Sequence, residues 1–269
     1  MRLIERVVEN PRECAYLPDR LASLEVRVML DVSGEEMDGL LARGWRRFGP
    51  VYFRPACASC SECISLRVVV AEFTPSKSQR RAARAGANLR RTVGIPRVDD
   101  ARLALYAKWH TSRENARGWE TNPQTSDRYA LEFAFPHPTA REAAFYDDDA
   151  GGRLVGVGLF DETPRALSAA FFYYDPAYAR FSLGAINVLA LVDDARASGR
   201  PHVYLGYRVE GCPSLAYKGN FRPHELLRGS LTLDELNEPH GLSGLNGLDG
   251  EMGPNWVRPN PHPRPAPPP

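Results

Sequence analysis

Ile64, Leu66, Val68 and Val70 alternate with polar or outward positions, the two-residue period of a strand with one buried face. Upstream the period changes. Ser33 followed three residues later by Glu36 has the form of a capping box, and Met37, Leu40 and Leu41 then share one helical face before Gly44 ends the run. A longer helical period runs from Asp99, with acids at its start and Gly118 at its end. The stretch EAAFYDDDAGGRLVGVGLFDETPRALSAAFFYYDP reads as three strands joined by turns around Asp149–Gly151 and Glu162–Pro164. An apolar helix from Ser182 to Gly199 and a buried strand, HVYLGYRV, follow. Antiparallel strands, a helix and a further strand make a mixed α+β domain.

These elements predict three regions: an N-terminal unit over 1–98, a second domain over 99–238, and a tail over 239–269. The tail is rich in proline and poor in apolar surface, so it is expected to lack fixed structure. The 269 residues are 43% hydrophobic and 25% charged, ordinary for a globular protein, with a formal net charge of +1. That balance excludes a global attraction to nucleic acid or membrane and leaves only local patches. A charged N-terminus without an apolar core, and no long apolar run, predict a cytoplasmic protein with no membrane segment.

Cytoplasmic thiols stay reduced, so clustered cysteines point to metal or reactivity rather than disulfides. Cys57, Cys60 and Cys63 follow one another at three-residue steps. A four-ligand site needs one more, and Cys14 lies in the same third of the chain; the four could hold zinc or an iron–sulfur cluster. The competing reading is that some are small buried hydrophobes, which is also the expectation for Cys212.

From Lys77 to Arg97 the chain carries Arg80, Arg81, Arg84, Arg90 and Arg91 among its cations and no acid. The bland reading is a solvated helix face. The functional one is contact with nucleic-acid phosphate or a substrate carboxylate. Tyr174 and Asp175 mark a strand end, and Arg180, Ser182 and Gly184 stand at the next helix N-terminus, where free N–H groups suit an anion or an oxyanion. Tyr207, Tyr217, Lys218 and Arg222 lie in a later stretch dense in aromatics and cations. For the tyrosines, core packing competes with a place in a cleft.

The strand–helix–strand order resembles the GNAT acyltransferase superfamily, whose Arg/Gln-x-x-Gly-x-Gly/Ala loop binds the pyrophosphate of acetyl-CoA. Here the loop is RFSLGA, with one glycine and different spacing, so no CoA is expected. CAYLPDR, RRFGPVYFRPACASCSECISLRV, FTPSKSQRR, FYYDPAYARFSLGAINVL and YLGYRVEGCPSLAYKGNFRP together resemble the aminoacyl-tRNA–protein transferases of the N-degron pathway, the arginyltransferases and the bacterial aspartate/glutamate leucyltransferases. The resemblance covers most of Cys14 to Glu225 and is weak from about Asp99 to Arg141. It implies a cysteine-bearing N-terminal domain and a GNAT-like C-terminal domain with a mixed, mainly antiparallel sheet. It implies transfer of arginine or leucine from aminoacyl-tRNA to proteins beginning with Asp or Glu. Cys14, Cys57, Cys60 and Cys63 match the family's cysteine positions. Tyr174, Asp175 and Tyr207 become candidates for proton transfer, and Arg80, Arg81, Arg84, Arg180, Lys218 and Arg222 for binding tRNA or acceptor. The expected protein is a monomer. Two other readings remain open on the sequence: a CoA-dependent GNAT N-acetyltransferase, and a metal- or cluster-containing RNA-binding module without enzymatic activity.

Overall fold

A computed structural model describes residues 1–117, 124–228 and 254–259. In chain order its elements are β1 (Arg2–Val8), β2 (Arg12–Glu13), β3 (Leu21–Ala22), β4 (Leu24–Leu30), α1 (Gly34–Ala42), β5 (Arg46–Phe48), β6 (Val51–Pro55) and β7 (Ile64–Val69). Then come α2 (Lys77–Ala85), β8 (Leu89–Gly94), α3 (Asp100–Arg117), α4 (Ser126–Phe133), β9 (Ala140–Asp147), β10 (Arg153–Glu162) and β11 (Ala166–Tyr174). The chain continues with α5 (Leu183–Ala197), β12 (His202–Arg208), α6 (Pro213–Ala216), β13 (His224–Arg228) and β14 (Asn255–Val257).

Two larger sheets result. The N-terminal one has the order β1-β4-β6-β5, and the main sheet β14-β13-β7-β12-β11-β10-β9-β8. Only β11 and β12 run parallel in the main sheet; the other neighbours are antiparallel. The α+β class is what the strand and helix periods predict, and the mixed, mainly antiparallel sheet is what the resemblance implies. The α1 cap forms as its sequence indicates: Ser33 Oγ accepts from Glu36 N at 3.2 Å, and Ser33 N donates to Glu36 Oε2 at 2.8 Å. An equivalent box at Ser76 and Gln79 starts α2 inside the basic segment.

Three apolar clusters hold the layers. One lies between the main sheet and α5, from Leu66 and Val68 to Leu191 and Val203. On the opposite face, Tyr106, Trp109, Tyr129 and Tyr173 pack α3 and α4 against β10 and β11. Beside them Met37, Leu41, Trp45 and Tyr52 join Ala166 and Tyr204, so the N-terminal sheet is seated on β11 and β12. Buried polar pairs tie the same seam. Arg47 of β5 is bonded to Asp161 of β10, and Thr139 Oγ1 donates to that carboxylate at 2.7 Å.

Two features differ from the sequence expectation. The unit expected over 1–98 contains β7 and β8, yet both are strands of the main sheet, and β7 pairs with β12 and β13 near its centre. Alternation in Ile64–Val70 identifies a strand but carries no information about its partner. The chain therefore crosses between sheets at residues 56–63, the cysteine segment itself. Second, the tail expected to be without structure over 239–269 contains β14, which pairs with β13. Trp256 accounts for this: its Nε1 donates to Ala42 O at 3.0 Å, its ring meets Tyr204 edge-on, and Arg67 lies 4.3 Å above it. One large aromatic ring offers enough apolar surface to order a short segment in a proline-rich context. Residues 239–253 and 260–269 of that tail, and Gly118, lie outside the described residues.

His137 and His202 give the fold a pH dependence. Burial, reinforced by Arg47 and Arg67 respectively, pushes both imidazoles from an ordinary 6.5 down to about 4. The unfolded chain takes up these protons near pH 6.5, whereas the folded protein does so only near 4. Stability therefore falls as pH falls through that window, by ~1–2 kcal/mol once solvent screening of the half-buried rings is allowed for. Urea midpoints at pH 7 and pH 4.5 check this, and His137→Gln is expected to shrink the difference by about half.

Candidate active site at the parting of β11 and β12

The parallel strands β11 and β12 pair only at Ala166–His202, Leu167–Val203 and Ser168–Tyr204. Beyond these residues the two strands carry on without mutual register, β11 to Tyr174 and β12 to Arg208. The main sheet thus opens into a wedge toward the C-terminal ends of its two parallel strands. The candidates Tyr174 and Asp175 end one lip and Tyr207 lies on the other.

On the first lip, Asp175 is buried and caps the turn Pro176–Phe181 by accepting from Ala177 N at 3.0 Å. Lys108 of α3 donates to it at 2.8 Å and Arg153 stands at 3.5 Å. Burial alone would raise its carboxyl, but the bonds from Lys108 and Ala177 outweigh that and hold it below its ordinary value. It is ionised at neutral pH and has no proton to give. Tyr174 is different. Its hydroxyl accepts from Arg113 Nη2 at 3.3 Å, and the Arg113 guanidinium lies 5.9 Å from the Tyr174 ring and 5.5 Å from that of Trp109. That contact leaves the phenolic proton available for donation.

On the second lip, Tyr207 is buried and its hydroxyl donates to Gly44 O at 2.9 Å, with Phe53 O at 3.3 Å. Burial drives the phenol above its usual range. Its proton is engaged by the carbonyls of Gly44, in the turn after α1, and of Phe53 on β6, so the residue fastens the N-terminal unit to β12. Tyr207→Phe is expected to lose ~1–2 kcal/mol of stability, because buried carbonyls lose their donor. Thermal denaturation measures this loss.

The basic segment divides in two. Arg90 and Arg91, both on β8, pair with Asp148 and Asp194. Arg80, Arg81 and Arg84 are exposed on α2, and among the described residues no carboxylate lies within ion-pair distance of them. Gln79 on the inner face of α2 donates to Asn220 O at 3.3 Å, which sets the helix beside the loop that carries Lys218 and Arg222. Arg180 is exposed at the end of the turn before α5, 4.9 Å from the Phe181 ring, and Arg222 Nε donates to Gly219 O at 3.1 Å. Lys218 Nζ donates to Tyr207 O at 2.9 Å, and burial followed by repulsion from Arg46 pushes its amine down to about 8.

The cysteines sit at the crossing. A cavity of about 870 Å³ is walled by Cys57, Cys60 and Cys63 on one side and by Tyr207 and Arg208 on the other. Cys14 follows β2 on the small ribbon, where its N–H donates to Arg20 O at 2.9 Å. All four thiols are half-buried and reduced. The Cys63 thiol is pushed up to about 12, first by burial and then by Cys57, Cys14 and Cys60, which places the four in one neighbourhood. The donor set has the softness zinc or an iron–sulfur cluster requires. The sulfurs converge without closing: among the described residues no three His, Cys, Asp or Glu side chains are arranged to hold an ion. Cys57 instead accepts from Ser23 N at 3.5 Å.

Sequence reasoning did not single out Arg46, Arg54, Arg113 or Arg208, all of which stand at the wedge or the cavity. The signal available for Arg46 was two consecutive arginines in WRRFGPVY, charges inside an otherwise aromatic strand.

The parallel strand pair thus parts beside the N-terminus of α5, and the arginine-bearing helix α2 packs against α5. Comparison with known proteins names the family. The model described as "Arginine-tRNA-protein transferase, N terminus" matches residues 12–81, and its C-terminal counterpart matches residues 101–228. An aspartate/glutamate leucyltransferase of Campylobacter jejuni is 34% identical over 230 residues, covering 83% of this chain and 92% of that protein. One of Halorhodospira halophila is 38% identical over 220 residues, covering 81% and 91%. Among solved structures, the C-terminal domain of a putative lysylphosphatidylglycerol synthetase from Agrobacterium fabrum is similar at 13% identity and a TM-score of 0.44, covering 61% of this chain and 58% of that one. The chain belongs to the aminoacyl-tRNA–protein transferase family, and it is a transferase. No helix among the described residues is long and apolar enough to cross a membrane.

Proposed function

We infer that this chain transfers leucine from aminoacyl-tRNA to the N-terminal amine of proteins beginning with Asp or Glu. The observation that carries the reading is the match to both family models in order, together with relatives named for leucyl transfer and covered over about nine-tenths of their length. The ester of an aminoacyl-tRNA is already activated, so no covalent nucleophile is needed. The acceptor amine, with a pKa of about 7.7–8.0, is substantially neutral near physiological pH. Its nitrogen attacks the ester carbonyl, the C–O bond to the ribose breaks, and the ribose oxygen takes up a proton. The protein's part is to hold the two reactants together and to supply that proton. Tyr174, oriented by Arg113, gives the proton at its hydroxyl and is restored by the proton that the amine nitrogen sheds as the amide forms, while ionised Asp175 fixes the strand end and Lys108. Arg80, Arg81, Arg84, Arg180 and Arg222 meet tRNA phosphates.

Cys14, Cys57, Cys60 and Cys63 are the residues that would hold zinc or an iron–sulfur cluster. Bound there, the group would cross-link the passage between the two sheets, and the transfer itself needs nothing from it. Metal analysis of the purified protein and of Cys63→Ser tests this, with stoichiometric metal expected only in the parent. The protein acts in the cytoplasm as a monomer. The decisive assay offers labelled Leu-tRNA or Arg-tRNA with peptides that begin with Asp, Glu or Ala. Label from Leu-tRNA on the Asp and Glu peptides is expected. Transfer from Arg-tRNA alone would replace leucine by arginine, and no transfer from either would favour an RNA-binding module.

A further inference from the structure

Arg46 is 7% exposed, and among the described residues no carboxylate lies within ion-pair distance of it. Its Nη1 donates to Trp45 O, its Nη2 reaches Ser65 Oγ at 3.4 Å, and its Nε has no partner. The guanidinium lies 5.5 Å from the rings of both Tyr204 and Tyr207. Those rings supply some compensation, far less than a carboxylate would. A second cation, Lys218, lies at the same spot. The two converge on Gly206, which has φ +76°: a Cβ there would stand 3.4 Å from Lys218 Nζ and 3.7 Å from Arg46 Nε. Two like charges facing the Gly206 backbone in a low-dielectric setting repel each other, and among the described residues neither has a carboxylate within ion-pair distance, Asp161 acting on Arg46 only from further away. The other buried cations of this fold do not share that condition: Arg47, Arg54 and Arg102 each have a carboxylate.

We propose that Arg46 and Lys218, converging on Gly206 where β12 parts from β11, form the subsite that binds the side-chain carboxylate of the acceptor's first residue. This rests on the reading of the chain as a transferase acting on acidic N-termini. The subsite is next to the cavity, since Ser65 and Tyr207, which contact Arg46, also line it. A carboxylate on a short methylene stem enters such a place end-on. An internal phosphodiester would need a way in and a way out past the Tyr204 and Tyr207 rings. The carboxylate supplies the missing counterion for both cations, whereas the isosteric amide of Asn leaves both uncompensated. The subsite therefore discriminates acid from amide by charge, not by shape.

The test uses the full chain and fluorescently labelled peptides that differ only in a first residue of Asp, Asn or Ala, with binding read by anisotropy at pH 7. The parent is expected to bind the Asp peptide about 100-fold more tightly than the Asn peptide. Lys218→Met, which keeps the stem and removes the charge, is expected to cut that ratio to about tenfold or less, with aminoacyl-tRNA affinity within about twofold of the parent. Lys218→Arg, which restores the charge, is expected to recover most of the selectivity and guards against a folding defect in the Met variant. An unchanged Asp-to-Asn ratio in Lys218→Met overturns the subsite. Loss of tRNA affinity with unchanged peptide binding assigns the cations to phosphate and overturns it equally. A parent that prefers the Asp peptide yet transfers nothing removes the transferase reading and leaves the subsite standing. A parent that transfers but binds Asp and Asn peptides alike does the reverse.

Discussion

Glu25→Ala is expected to lower the stability of the protein by ~3–5 kcal/mol, the largest effect of any single substitution considered. Glu25 is wholly buried in β4, and its carboxylate accepts from Arg6 Nε at 3.0 Å, Arg27 Nη2 at 2.8 Å and Arg54 Nε at 2.9 Å. The guanidiniums of Arg27 and Arg54 lie 4.5 and 4.9 Å from the Trp45 ring, so one carboxylate and one indole hold three strands in register. Burial raises the carboxyl, but the arginines outweigh it and keep it below its ordinary value. Removing the carboxylate leaves Arg54, 8% exposed, as a buried cation without a counterion, and that penalty dominates the loss. Replacing Glu25 and Arg54 together by Met should recover much of the deficit, because an apolar pair of similar volume removes the most buried of the three cations and leaves only Arg6 and Arg27, which are partly open to water. Urea unfolding followed by Trp fluorescence gives both numbers. A Glu25→Ala loss under about 1 kcal/mol would mean that the arginines find water instead. The site feels the change too, since Arg54 is followed directly by Pro55 and the cysteine crossing.

This cluster also shows where sequence reading stops. Period and caps made α1, β7, the three strands β9 to β11, α5 and β12 legible, because each is decided within a few residues of itself. Glu25 and Arg54 are ordinary charges in the sequence, and only pairing across β4 and β6 makes them a core. The same holds for Arg46: a strand with two arginines looks solvent-exposed until a second sheet is laid over it. Tyr207 was singled out in the sequence as a candidate for proton transfer, and its bonding was not legible there, because the carbonyls it bonds belong to Gly44 and Phe53, more than a hundred residues upstream. The cysteines were legible as a cluster. Their position as the hinge between two sheets was not, since it depends on β7 leaving the N-terminal unit to pair with β12. Trp256 made its contribution through one side chain, which a composition argument over a proline-rich tail averages away.

Substituting Arg80, Arg81 and Arg84 together by Ala is expected to weaken aminoacyl-tRNA binding about 100-fold at ~0.1 M salt, while stability stays within about 1 kcal/mol of the parent. The three are exposed on the outer face of α2, and among the described residues no carboxylate pairs with them, so their removal breaks no ion pair and costs only the bond from Arg80 to Pro75 O. Ala is a better helix former than Arg, and the Ser76–Gln79 box that starts α2 is untouched. The diagnostic is the salt dependence. Each phosphate contact contributes roughly 0.7–0.9 to the slope of log affinity against log salt, so the variant should lose about 2–3 units of slope. Arg90→Ala is the control: its guanidinium is already bonded to Asp148 by three contacts of 2.9–3.2 Å, so it has little charge left to offer a phosphate, and its slope should match the parent's. A triple variant with weaker binding but an unchanged slope would place the arginines' effect in the shape of α2 and not in phosphate contact. Because α2 is held against Asn220 through Gln79, the helix that carries these charges sits beside the loop bearing Lys218. Tyr174 lies at the end of β11 and the proposed Arg46–Lys218 subsite beside β12, so on this proposal the two reactants meet between strands that part.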